Sequence, residues 1–412
     1  MSTSGITPGD RSRVDSAPRA RGMRILLWAE LFWPHIGGGP QFSAELADAL
    51  QERGHELLVI TRQDDPLLPS TECLGRIPIH RFPFHQALSG GDIGPLAKLR
   101  QRVADLKRHF APDVIHTTSF GASMFFQSAT RHVHPSPLLV TLLGEGDPAG
   151  ADVDSVLHRA LENADWVTAP SQATLDDVRR WVPKCSSRSS VVRSGTIAPT
   201  IEPLPLPAGD PSLLFLGRLD HVKGVDLALS ALPKILRKHP SAQLVIAGDG
   251  PERGSLESQA QELGVNQAVR FIGWVGVDDV AEVIRGASMV ILPSRADAFP
   301  LVGLQAGFMA RPTVAASVGG IPELLVHGET GWLVEPQCAE ALAEGVVRLL
   351  DDPQLMHRMG QAAHKRCTDM FGFDRIVDEY ERLYALIVSK QQSGTQEKRP
   401  TSVPPRKGKT CE

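Results

Sequence analysis

Residues 291–323, ILPSRADAFPLVGLQAGFMARPTVAASVGGIPE, decide how the rest of the chain is read. A short apolar strand over 289–292 runs into a polar loop that ends in Phe299-Pro300, and an apolar helix pattern follows from Leu301 to about residue 310. A second apolar run, 313–316, breaks at Gly319-Gly320. Proline at a first helical position costs no hydrogen bond and sets the backbone angle, so Pro300 reads as a helix start. The unpaired amides of that first turn, with the positive end of the helix dipole, form a site where a phosphate could rest. Paired glycines opposite would let backbone approach the same anion. Two such devices suggest a diphosphate.

Loop, helix and glycine pair together resemble the donor site of GT-B glycosyltransferases, specifically glycosyltransferase family four. That family carries a carboxylate, seven residues, and a second carboxylate; the matching positions here are Asp297 and Gln305. The first acid is shortened by a methylene and the second is an amide. The resemblance implies that Asp297 faces the donor sugar, that Gln305 bonds the ribose hydroxyls, and that Phe299, Pro300 and Leu301 open the phosphate helix. It further implies that Gly319, Gly320 and Ile321 offer amides to phosphate, while Glu323 starts a short helix.

At 412 residues the chain is long enough for two ordinary domains of about 150 to 200 residues, each with its own core. A content of 42% apolar and 22% charged residues is that of a soluble globular protein, and a net charge of -4 gives no electrostatic case for nucleic acid. The five cysteines form no CxxC pair and have no histidine at zinc-finger spacing, so a reducing compartment and no structural metal are expected. No apolar run approaches the 18 or more residues of a membrane span, and no apolar region of a signal peptide precedes Met23. The expected location is the cytoplasm.

Residues 1–22 hold little to bury and are expected to be disordered, with Met23 a candidate for the natural start. A first domain is expected over 23–197. It opens with strand MRILLWAE, loop LFWPHIGGGP and an amphipathic helix that stops near Gly54, which is how α/β sheets present a ligand crevice. Under the resemblance Gly37, Gly38 and Gly39 lie beside the donor phosphates and the acceptor. Buried runs HELLVIT, DVIHTTS, PLLVTLLG, DWVTAPS and SSVVRSG alternate with helices, as a parallel sheet covered on both faces requires. The helix over 97–110 carries Lys98, Arg100, Arg102, Lys107 and Arg108, either as a membrane-surface or acceptor-docking face or as a solvated one. His116 is either an acceptor-side residue, as the resemblance implies, or a core histidine at a strand end. Where the family often has a histidine facing the donor sugar stands Leu143, and Glu145 or Asp147 would supply the polar contact instead.

Residues 198–211, APTIEPLPLPAGDP, cannot continue a helix or central strand and read as the linker. The second domain, 212–370, opens with SLLFLGRLDHVKG, which puts Arg218 and Lys223 just beyond Gly217 at a strand's carboxyl end, where both can reach one diphosphate. That spacing is a family signature. Trp274 and Val275 either seat the nucleobase, as in relatives, or belong to the core. A helix over 371–390 bears an apolar stripe, Phe373, Ile376, Val377, Tyr380 and Leu383, and in the family it crosses back onto the first domain. Residues 391–412 are expected to be disordered.

The resemblance thus implies two Rossmann-like domains facing each other across a donor and acceptor cleft. It implies a retaining, metal-independent transfer of a sugar from a nucleoside diphosphate donor to a glycan or lipid-linked acceptor, without a cofactor. In that reading Arg218, Lys223 and Asp297 are the catalytic residues. Two rivals stand beside it: a non-catalytic nucleotide-binding GT-B protein, because Asp297, Gln305 and Leu143 all depart from the pattern, and a nucleotide-sugar epimerase of the same fold.

Overall fold

A computed structural model of the chain describes residues 22–35, 37–118, 121–144 and 155–397. The first half builds strands β1 (Arg24–Trp28), β2 (Glu56–Arg62), β3 (Thr71–Leu74), β4 (Ile77–Phe82), β5 (Val114–Thr117), β6 (Leu138–Thr141), β7 (Trp166–Ala169) and β8 (Ser189–Val191). Its helices are α1 (Gly38–Glu52), α2 (Phe84–Ser89), α3 (Ile93–Phe110), α4 (Ala122–Ala129), α5 (Val156–Asn163) and α6 (Gln172–Trp181). The second half adds β9 (Ser212–Leu216), β10 (Gln243–Ala247), β11 (Val269–Gly273), β12 (Met289–Leu292), β13 (Thr313–Ala316) and β14 (Trp332–Val334). Its helices are α7 (Val225–Lys238), α8 (Arg253–Glu262), α9 (Val280–Arg285), α10 (Leu301–Phe308), α11 (Ile321–Leu324), α12 (Ala339–Leu350), α13 (Pro353–Met370) and α14 (Phe373–Glu397).

These strands form two sheets, ordered β3-β4-β2-β1-β5-β6-β7-β8 and β11-β10-β9-β12-β13-β14. Every pairing is parallel except that of β3 with β4. The expected pair of Rossmann-like domains is therefore what the chain forms. Strand composition explains it: β1, β5, β6, β12 and β13 are apolar runs buried almost end to end, which only a sheet with helices on both faces can accommodate. Each sheet has a core on either side, two clusters in the first domain and two in the second. The order reverses at β1/β5 and at β9/β12, the places where a doubly wound sheet opens a crevice at its carboxyl ends.

The chain crosses between domains twice. Residues 198–211 form no helix and join a strand only beyond it. The buried Arg311 guanidinium donates to the carbonyls of Leu204 and Pro205 and so fastens this linker to the second domain. The return crossing is at Gly372. Phe371 packs on Phe299 in the second domain, with ring centroids 5.5 Å apart, whereas Phe373 belongs to the core of the first. From there α14 lays Phe373, Ile376, Val377, Tyr380, Tyr384 and Ile387 against Phe42 and Leu46 of α1 and the β1 side of the first sheet. Leu383, part of the expected stripe, is only partly buried, because the drift of a 3.6-residue turn brings Tyr384 and Ile387 inward instead.

Two expectations need correction. Helix α14 continues past Lys390 to Glu397: no proline interrupts it there, and the Gln391 side chain donates to the Pro135 carbonyl at 2.9 Å. Lys107 is not on a basic face of α3. It is fully buried, donates to the Thr130 carbonyl at 2.9 Å, and burial holds its pKa down at about 8. Lys98, Arg100, Arg102 and Arg108 do remain exposed. Among the described residues no helix is long and apolar enough to cross a membrane.

Candidate active site between the domains

A cavity of about 450 Å³ lies between the carboxyl ends of the two sheets. Such a volume suits a small-molecule ligand. From the first domain its wall takes Gly37, Gly38 and Gly39 at the start of α1, with Leu143 and Ser194; from the second it takes Gly217, Arg218, Lys223, Trp274, Val275, Asp297, Phe299, Pro300, Leu301 and Gln305. Most of the residues singled out from the sequence therefore meet in one space. Trp274 is half exposed on that wall rather than packed in the core.

The cationic corner is built from two loops locked together. After β9 the chain passes Gly217 and Arg218, and the Asp220 carboxylate accepts from the Lys223 amide at 3.3 Å to cap a single 3-10 turn. Gly224 ends that turn at φ +67, where a Cβ would stand 2.2 Å from the Pro293 carbonyl oxygen; no other residue allows the loop after β12 to come so near. That loop answers with three ties. The Arg295 amide donates to the Val222 carbonyl at 2.8 Å, its guanidinium donates to the His221 carbonyl at 2.7 Å, and the same fork grips both Asp226 oxygens at 2.8 and 2.6 Å. Burial alone would raise the Asp226 carboxyl, but the Arg295 hydrogen bonds and charge take it below its ordinary value. Across the joint the Lys223 ammonium donates to Asp297 Oδ2 at 2.7 Å. Arg218 is exposed, with its Nε 3.4 Å from Asp220 Oδ2.

Beyond Asp297 the helix α10 begins. Pro300 stands at its cap rather than in its first turn, and the Gly303 and Leu304 amides turn back to the Pro300 carbonyl at 3.1 and 3.4 Å. The Leu301 and Val302 amides have no hydrogen-bond partner among the described residues, and both residues line the cavity. Amides at a helix start, a lysine and an arginine thus line the same cavity, and groups of these kinds are suited to hold an anion.

The glycine pair has a different task from the one expected. Gly319, Gly320 and Ile321 do not line the cavity. The Gly320 amide donates to the Asp297 carbonyl at 2.9 Å and the Ile321 amide to the Val318 carbonyl at 3.0 Å, so neither is offered to an anion. At Gly319, φ +48, a Cβ would lie 2.0 Å from the Asp297 carbonyl oxygen. The close approach that demands glycine is therefore to the loop bearing Asp297, which the pair supports from behind.

His116 needs the same kind of correction. It is fully buried under α14, with Nδ1 2.7 Å from the Tyr384 hydroxyl and Nε2 2.7 Å from the Thr141 hydroxyl, and burial lowers its pKa to about 3. It is a neutral core group that docks α14, not a contact for an acceptor. Glu145 and Asp147 lie outside the described residues.

Other polar groups at the site were not foreseen. Arg295 and Asp226, 69 residues apart, fuse the two loops, and no local pattern pairs them. Glu323 is the third residue of α11, not its start; its carboxylate reaches the other domain and accepts from the Gln172 and Ala173 amides at 2.6 and 3.1 Å, the first of α6. Glu45 on α1 accepts from Gln41, Thr196 and Ile197, the last two just before the linker. An acid three residues after a glycine pair or on the inner face of an amphipathic helix is a weak signal for either role.

Comparison with known proteins agrees with this frame. Residues 36–196 match the family model described as Glycosyltransferase Family 4, and residues 198–366 match that described as Glycosyl transferases group 1. A glycogen synthase of Mycobacterium tuberculosis is 28% identical over 88% of this chain and 94% of its own length. The solved sucrose-phosphate synthase from Thermosynechococcus elongatus superposes with a TM-score of 0.78 at 26% identity, covering 89% of this chain and 100% of that one. HepE of Anabaena, solved in complex with UDP-glucose, shares the fold with a TM-score of 0.73 at 21% identity over 90% of this chain and 100% of its own. Matched in each half by a glycosyltransferase family and built as two facing Rossmann-like domains, the chain belongs to the GT-B glycosyltransferases of the family-four type.

Proposed function

We propose that the enzyme moves a sugar from a nucleoside diphosphate donor to an acceptor hydroxyl with retention of anomeric configuration. The observation that carries this reading is that Arg218, Lys223 and the unpartnered Leu301 and Val302 amides line one interdomain cavity. The barrier lies in departure of the diphosphate, which gathers negative charge as its bond to the anomeric carbon breaks. Fixed cations and amides stabilise that charge, each being worth about 3 to 4 kcal/mol where single donors of this kind have been removed. In this reading protein groups do the work often given to a metal ion. The acceptor oxygen bonds to the anomeric carbon on the face the diphosphate leaves, and its proton passes to the departing phosphate oxygen.

Asp297 then has a role fitted to its shorter reach: its carboxylate holds the Lys223 ammonium at 2.7 Å rather than extending to the sugar. The same contact favours the rival reading, a protein that binds nucleotide without turning it over, since part of the lysine's charge is already met. Acceptor classes in keeping with the family are glycans and lipid-linked sugars. The exposed Lys98, Arg100, Arg102 and Arg108 of α3 give a face suited to an anionic membrane surface on the cytoplasmic side. A thermal-shift panel of UDP, GDP, ADP and TDP sugars identifies the donor, because preferential binding raises the melting temperature. Product analysis with that donor is expected to give a glycoside with the donor's anomeric configuration. An inverted product would overturn retention, and firm nucleotide binding without transfer or hydrolysis would favour the rival.

A further inference from the structure

Next to the donor cavity is a second one of about 250 Å³, reached from the first domain by Gln41, Glu45 and Thr196 and from the second by Gln305 and Asp278. Gln305 lines both cavities, so the two spaces are neighbours along α10. Helix geometry sets the scale. Leu301 and Gln305 are four residues apart on one face, or about 6 Å along the axis. The resemblance to family four puts the pentose of a nucleoside diphosphate beside Gln305, and that spacing is compatible with an anion on the Leu301 and Val302 amides. A vicinal diol in that place donates best to a charged acceptor, because charge-assisted hydrogen bonds are about twice as strong as neutral ones. Gln305 carries no charge.

Glu45, on the opposite wall, does. Its Oε1 accepts from Gln41 Nε2 at 2.8 Å and Thr196 Oγ1 at 3.1 Å, and its Oε2 accepts from the Ile197 amide at 3.2 Å. A carboxylate offers about four acceptor positions, so the position left is on Oε2. The three donors also fix its orientation. Burial raises the Glu45 carboxyl above its ordinary value, against the lowering effect of those hydrogen bonds. A carboxylate so desolvated gains from each further donor it meets.

We propose that Glu45 is the charged acceptor for the ribose hydroxyls of the donor, supplied from the first domain across the cleft from Gln305. The proposal rests on the nucleoside diphosphate reading above. It makes pentose recognition a joint act of α1 and α10, complete only when the two domains stand together as they do here.

The experiment is calorimetric titration of the full chain with the uracil, guanine and adenine nucleoside diphosphates and their 2′-deoxy and 3′-deoxy counterparts. For the base that binds most tightly, the wild type is expected to prefer the ribose form over at least one deoxy form by about tenfold, the worth of one charge-assisted hydrogen bond. Glu45→Gln is expected to bring that preference within about twofold, while the affinity for the deoxy form stays as in the wild type. Asp278→Asn, which changes the other carboxylate on the wall, is expected to keep the wild-type preference. A folded Glu45→Gln variant that still discriminates, or that weakens both forms alike, overturns the proposal; so does loss of discrimination in Asp278→Asn. A wild type that binds ribose and deoxy forms equally removes Glu45 from recognition but leaves the donor reading intact. A wild type that binds no nucleoside diphosphate removes both.

Discussion

Asp297 is tied to two neighbouring loops at once. The residue is 8% exposed, its backbone carbonyl accepts from the Gly320 amide, and its Oδ2 accepts from Lys223. Asp297→Asn is expected to lower kcat by about ten- to a hundredfold, the worth of about 1.5 to 3 kcal/mol for a hydrogen bond to a charged group. Steady-state rates on the identified donor check this, and an unchanged kcat would refute it. His116 gives a prediction in pH. Its folded pKa, about 3, lies below the ordinary histidine value because burial disfavours the charged ring. The unfolded chain therefore binds the proton first as pH falls, and stability present above pH ~6.5 is lost progressively toward the folded value, with a slope near 1.4 kcal/mol per pH unit. Denaturant titrations at pH 7 and 5 should show a shallower loss for His116→Gln than for wild type. Both residues were visible in the sequence, yet their partners were not. A glycine pair announces that something comes close, without saying that it is the Asp297 loop, and His116 takes its hydroxyl partner from 268 residues away.

Helix α14 shows the same limit one level up. Its apolar period was legible, and so was its need for a surface to cover. What fixes its position is polar: the Arg53 guanidinium, just past α1, is ringed by Asp374, Asp378 and Glu381, and Glu381 also meets His55 at 2.8 Å. Arg53→Ala leaves those carboxylates clustered without their counterion. The expected cost is about 1 to 3 kcal/mol, read as a lower denaturant midpoint together with faster hydrogen exchange along α14. Unchanged exchange would mean that the apolar stripe alone docks the helix. The parallel strands could be read directly because a sheet buried on both faces writes itself as unbroken apolar runs. Interlocking loops such as those joined by Arg295 and Asp226 leave no periodic trace, since their contacts depend on the completed sheet.

Across the whole molecule, two crossings and one clasp set how the halves meet. The linker is fastened to the second domain by Arg311, the return crossing is a single glycine, and the Glu323 carboxylate caps α6 from the other side of the cleft. Glu323→Ala removes an anion from a helix start and the only tie of its kind between the domains among the described residues. Its loss is expected to weaken the contact between the halves by about 1 kcal/mol, seen as a larger radius of gyration in solution scattering. An unchanged radius would show that Glu323 does not hold the halves together. The proposed transfer depends above all on the cationic corner of the cleft. It is tested most directly by the rate of nucleoside diphosphate release in Arg218→Ala and Lys223→Ala, measured at saturating donor and acceptor. A fall of about a hundred- to a thousandfold is expected in each variant, with the fold preserved. Near-normal rates in both would contradict it.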